Sequence, residues 1–157
     1  MFDWIQSDIV PQLSAAVQVA IATVLGGIVG LERELANRPA GLRTHAMLGG
    51  AAALLVLLTE NIVFEVLADT GSSTLRADPL RMVEAIVVGV SFLGAGTIFR
   101  SGERGIVGLT TGTSLLLVGG IGIAVAVGML YLALIVTALA LVLLRVLWRF
   151  EAKQESR

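Results

Sequence analysis

Apolar positions in this chain run in long unbroken blocks, and the charged residues collect between the blocks. From Ile9 to Leu31, 23 positions carry no charge. A helix rises ~1.5 Å per residue, so about 20 residues cross a ~30 Å hydrocarbon core. The first block therefore predicts a membrane span over residues 10–31. Thr44 to Thr59 lacks Asp, Glu, Lys and Arg and must draw on Glu60 and Asn61 to reach full length, which predicts a second span over 44–64 with a polar end. Residues 65–81, with Asp69, Gly71, Ser72 and Ser73, read as a loop. Asp78 followed by Pro79 reads as an N-cap with proline at the first helical position, opening a third span over 82–99 interrupted only by Glu84.

The last block, Gly105–Leu144, has forty residues without a charge. As one helix it would measure about 60 Å, twice the hydrocarbon thickness, so it must fold back. Gly119, Gly120, Gly122 and Gly128 are its weak points. Gly128 divides it most evenly, into spans over 107–126 and 130–147. The fold class is thus all-α: a polytopic membrane protein of five transmembrane helices. Residues 1–148 form a single transmembrane domain, and 149–157 a short cytoplasmic tail.

Composition agrees. Only 15% of the 157 residues are charged and 56% are hydrophobic, against about 25% charged in soluble domains. The net charge of −1 brings no electrostatic pull towards nucleic acid. Without cysteine there are no disulfides and no thiolate metal sites. Met1–Asp8 has two acids and no base, unlike the basic start of a signal peptide. Orientation follows from Lys and Arg. Nine of the eleven fall in the first loop, the third loop and the C-terminal segment, and only Arg76 and Arg81 fall on the other side. This places the N-terminus outside and the C-terminus in the cytoplasm. A shift of 67 residues overlays Gly27 on Gly94, Arg33 on Arg100, Gly41 on Gly108, Leu42 on Leu109 and Thr44 on Thr111. The echo is that of a parallel repeat of helices 1–2 and 3–4, or of chance in a Gly- and Leu-rich chain.

Candidate chemistry lies in and beside the loops. "GLERELANRPAGLRTH", 30–45, sets Glu32 and Glu34 beside Arg33, Arg38 and Arg43. The readings are a positive-inside anchor with ordinary caps, Thr44 capping the second span, or, from the balance of signs, intraloop ion pairs or a ligand site. His45, the only histidine, is a polar cap or a group titrating near neutrality. Gly89, Ser91, Gly94 and Gly96 put small residues in one span, which suits close helix packing or, alternatively, a broken helix exposing backbone carbonyls. Thr110, Thr111, Thr113 and Ser114 either bond back to helix carbonyls or line a polar path. Near the outer interface, Arg81 and Glu84 share a helix face. Glu60, Glu65, Asp78 and Glu84 are carboxylates of the kind that hold hard cations, without a metal-ligand spacing. No P-loop, HExxH, GxSxG or dinucleotide fingerprint occurs, so no enzyme is expected.

Three ordered motifs, "GGIVGLERE…NRPAGLRTH", "DPLRMVEAIVVGVSFLGAGTIF" and "GLTTGTSLL", resemble the MgtC/SapB family of bacterial inner-membrane proteins. The resemblance implies five spans and a cytoplasmic C-terminus. It also implies a role in growth under low Mg²⁺ and in virulence, by ion binding, sensing or transport. The alternative is a non-transporting module that docks on and regulates another membrane complex such as the ATP synthase. Mg²⁺ is the only cofactor or cargo implied. Carried over by motif, the ligand or ion candidates are Glu32, Arg33, Arg43, Thr44, His45, Asp78, Arg81, Thr110 and Thr111. Gly89, Gly94 and Gly96 are the packing positions, and Glu60 and Glu84 the weaker metal candidates. Ala85 stands where glutamine is usual, which removes a polar group from mid-span, and Ser91 stands where glycine is usual. Many relatives continue into a soluble domain, which is not expected here. The glycine faces call for partners beyond the bilayer itself, a second copy first among them, giving a dimer.

Overall fold

A computed structural model describes the backbone of residues 3–70, 79–101 and 105–154, with side chains described over 9–63, 80–98 and 106–146. Five helices carry the chain: α1 (Asp3–Leu35), α2 (Leu42–Thr70), α3 (Pro79–Thr97), α4 (Leu109–Ala126) and α5 (Leu130–Gln154). Four contain stretches long and apolar enough to cross a bilayer: Ile9–Leu35, Leu42–Val63, Leu80–Thr97 and Leu109–Ala126. In α5 the apolar described segment is Leu130–Val146. Backbone groups in hydrocarbon must bond within their own segment, which is why apolar runs of this length become helices.

The segment joining α3 to α4 departs from expectation. It holds a small antiparallel hairpin of β1 (Phe99–Ser101) and β2 (Gly105–Val107), pairing Phe99 with Val107 and Arg100 with Ile106. Ile98, Phe99, Ile106 and Val107 read as ends of spans on hydropathy alone. Their β-branched and aromatic shapes, on either side of Ser101–Gly105, instead suit paired strands.

Two helix ends use the same device. At Gly128 (φ 78°) the amide of Met129 donates to Ala124 O (2.8 Å) and that of Gly128 to Val125 O (3.1 Å). This is a Schellman closure around a left-handed residue, and it makes the expected break between α4 and α5. At the end of α1, Asn37 (φ 52°) takes the left-handed place, with Arg38 N donating to Arg33 O and Asn37 N to Glu34 O, each at 3.0 Å.

α4 is the hub. It packs against each of the other four helices. Its Leu115, Val118, Ile121 and Val125 are buried among Ala22, Leu25 and Val29 of α1, Ala52, Ala53 and Val56 of α2, Ile86 and Val90 of α3, and Ala133 and Ala140 of α5. Outward positions such as Val24, Ile28, Val88 and Ile135 are equally apolar and exposed. Interior and exterior thus differ in size more than in polarity, as expected where lipid replaces water.

The tightest seams lie on α1, α2 and α4. A Cβ on Gly26 would sit 2.5 Å from the His45 carbonyl oxygen, and one on Gly49 would sit 2.6 Å from Ala22 O. One on Gly122 would collide with Gly49 O. On α3, Gly94 meets Gly112 of α4, with the added Cβ at 3.3 Å. Gly89 and Gly96, expected as packing positions, have nothing within 4 Å and face away from the bundle.

Candidate functional site

At one end of the bundle, between the end of α1 and the starts of α2 and α4, polar side chains are sealed from solvent. His45 is 0% exposed, Thr111 1%, Arg33 4%, Ser114 4% and Glu32 8%. Local backbone geometry makes room for them. α2 opens at Leu42, whose amide donates to Glu34 Oε2 at 2.8 Å, so the carboxylate of α1 caps α2 across the turn. Thr44, expected as that cap, lies exposed within the first turn. His45 falls one turn in and points at α1. There Gly30 leaves the necessary space, because a Cβ on it would lie 2.7 Å from both Gly41 O and His45 Cβ. Gly26 and Gly30, four apart on one face, thus form the slot that admits the imidazole.

The imidazole bridges helices. His45 Nδ1 lies 3.0 Å from Gly41 O, and since a carbonyl only accepts, Nδ1–H is the donor. Nε2 lies 3.0 Å from Ser114 Oγ on α4, and Ser114 Oγ donates to Thr111 O at 2.8 Å. With Nδ1 protonated and Nε2 bare, the single Ser114 hydrogen has two acceptors, the Thr111 carbonyl and Nε2. A chain of bonds therefore runs from the α1–α2 turn through His45 to the first turns of α4. Removing the Ser114 side chain would leave the buried Nε2 of His45 without its bond.

One turn beyond Val29 on the same face of α1, Arg33 and Glu32 form an ion pair at 3.7 Å. Glu32 Oε2 is buried and accepts no hydrogen bond. An ion pair in so dry a setting is costly to desolvate, and its carboxylate retains acceptor capacity.

Of the residues picked out by sequence, the structure gathers Glu32, Arg33, His45 and Thr111 at this junction. Arg43, Thr44 and Thr110 lie at the same end but are exposed. Arg81 and Glu84 are exposed near the start of α3, and Glu60 is exposed towards the end of α2. Asp78 and the Glu65 side chain lie outside the described residues. Among the described residues no three of His, Cys, Asp and Glu gather as a metal site. Sequence reasoning missed Ser114 as the partner of His45, Glu34 as the α2 cap, and Gly26, Gly30, Gly49 and Gly122 as the close seam. The G-x-x-x-G spacing of Gly26 and Gly30 was the available signal.

Comparison with known proteins agrees with this organisation. The MgtC family model matches residues 19–153. An uncharacterized protein of Haemophilus influenzae is 36% identical over 128 residues, covering 82% of this chain and 53% of that protein. Protein SapB of Bacillus subtilis is 35% identical over 111 residues, 71% of this chain and 47% of SapB. The putative magnesium transporter YhiD of Escherichia coli is 32% identical over 130 residues, 83% of this chain and 59% of YhiD. The chain spans about half the length of these curated relatives. No solved structure matches it. With its apolar helices and bacterial relatives, it is a multi-pass protein of the bacterial inner membrane. The match over most of its length shows that the chain belongs to the MgtC family.

Proposed function

We propose that the protein acts in magnesium homeostasis at the inner membrane, by binding and sensing the ion at the Glu32–Arg33–His45–Ser114 junction. The observation that carries this reading is the buried Glu32 carboxylate, one oxygen of which accepts no hydrogen bond. Mg²⁺ keeps several waters and is usually held through one or two carboxylates, so a dedicated cage of acids is unnecessary. The hydrated ion would compete with the Arg33 guanidinium for Glu32, and its waters would find His45, Ser114 and the Thr111 carbonyl nearby. Occupancy would loosen one ion pair and reset the packing of α1 against α2 and α4. The name of the Escherichia coli relative supports the choice of ion.

The test is thermal unfolding of the purified protein in detergent across a Mg²⁺ titration, paired with Mg²⁺ uptake into proteoliposomes. Mg²⁺ should raise the melting temperature of the wild type and leave Glu32→Gln unmoved. Uptake would extend the reading from sensing to transport. A wild-type melting curve indifferent to Mg²⁺ would sink the proposal.

A second reading, a non-transporting module that docks on another membrane complex, is favoured by α3. Phe92 is 80% exposed there, and Gly89 and Gly96 open onto empty space. Self-association as a dimer through the same face belongs to this reading, as does an orientation with both charged turns in the cytoplasm. A stable co-purified partner together with absent uptake would select it.

A further inference from the structure

At the opposite end of the α1–α2 hairpin lies a lateral groove of about 930 Å³, walled by α1 and α2 and floored by Ala126 of α4. Its lining combines features that rarely meet inside a span. Gln12, Gln18, Glu60 and Asn61 all line it, and all fall within the apolar stretches of α1 and α2. None of the four makes a side-chain hydrogen bond or ion pair among the described residues. Gln12, Glu60 and Asn61 are exposed at its mouth and Gln18 is half-buried deeper in, so their donors and acceptors are open to a ligand. Apart from Ser14 the rest of the wall is apolar, with Leu54, Leu57 and Leu58 on the α2 side.

Position and charge indicate the occupant. The hairpin is antiparallel, so Gln12 lies near Glu60 and Asn61 at the mouth, and Gln18 lies six residues, ~9 Å, further in, level with Leu54. Glu60 is the one ionisable group in the lining. Among the described residues no Lys or Arg lines the groove, so Glu60 alone sets the sign of its charge. Pro11, inside α1, cannot donate to the carbonyl four residues earlier and frees one more acceptor at the mouth.

We propose that this groove is a binding site for an aminophospholipid of the phosphatidylethanolamine type. The primary ammonium would donate to Glu60, and the amides of Gln12 and Asn61 would donate to the phosphate. Gln18 would reach an ester carbonyl, and one acyl chain would run along Leu57 and Leu54. A phosphatidylglycerol offers Glu60 no cation. A phosphatidylcholine offers a cation without an N–H. The site lies at the other end of α1 from the magnesium junction and does not depend on that reading.

Native mass spectrometry of the whole chain, released from mixed micelles with equimolar phosphatidylethanolamine, phosphatidylglycerol and phosphatidylcholine, tests the assignment. A charge-assisted hydrogen bond predicts about tenfold preferential retention of phosphatidylethanolamine. Glu60→Gln should abolish the preference while keeping the helical circular-dichroism spectrum. Ala16→Leu, which narrows the groove without touching Glu60, should lower retention of all three lipids. Equal retention of the three lipids by the wild type, or an undiminished preference in Glu60→Gln, would overturn the proposal. So would protection by free ethanolamine with no lipid retained, which would make the occupant a soluble amine.

Discussion

A buried histidine with both ring nitrogens engaged is a strut as well as a chemical group. His45 ties the α1–α2 turn to α4 through Gly41 and Ser114, while its neighbour Thr44 touches nothing comparable. His45→Ala should therefore destabilise the protein by about 2–4 kcal/mol, combining lost bonds with a cavity. Thr44→Ala should stay within ~0.5 kcal/mol, as surface substitutions do. Denaturant unfolding in detergent compares the two directly, and equal midpoints would remove His45 from its structural role. The polarity of this junction was partly legible in the sequence, because Glu32, Arg33 and His45 stand out against apolar neighbours. The pairing was not legible, because Ser114 is 69 residues from His45 and only the packing of α4 against α2 brings them together.

At the scale of elements, the helices were readable because hydrocarbon leaves the backbone no alternative, and a forty-residue uncharged run can satisfy that constraint only by turning. The hairpin of β1 and β2 escaped for the converse reason: its residues are apolar, and hydropathy does not distinguish a span's end from a short strand. The glycine seam was placed correctly at Gly94 but not at Gly89 and Gly96, because composition reveals small residues but not the face they occupy. Gly26 abuts the backbone of α2, whereas Gly89 meets nothing. Gly26→Leu is accordingly expected to cost at least 1–3 kcal/mol through overpacking and to lower the melting temperature. Gly89→Leu in the isolated chain should melt like the wild type. A Gly89→Leu variant as unstable as Gly26→Leu would mean that α3 is covered by another chain under the same conditions. The two helical hairpins also make similar close approaches eleven residues apart, Gly30 with Gly41 and Thr97 with Gly108. That likeness is what a repeat of helices 1–2 and 3–4 would require.

For the molecule as a whole, five crossings would put the two ends of the chain on opposite faces of the bilayer, and the bias of Lys and Arg would put the arginine-rich turns inside. The absence of native cysteine makes this simple to examine. Single cysteines at Ser7 and Ser156 should react with a membrane-impermeant maleimide from opposite sides of sealed vesicles. Labelling of both from one side would reduce the count to four spans, with α5 lying along the surface. The central place of α4 also bears on how the protein is made. Translation releases α1, α2 and α3 before the helix against which all of them pack. Until residue 126 has left the ribosome the earlier helices have no common core, and α1 and α2 wait as a glycine-clasped pair with α3 only lightly packed against α2. Biogenesis therefore turns on late arrival. A stalled chain ending before α4 should be the form that insertases must shelter and membrane proteases clear.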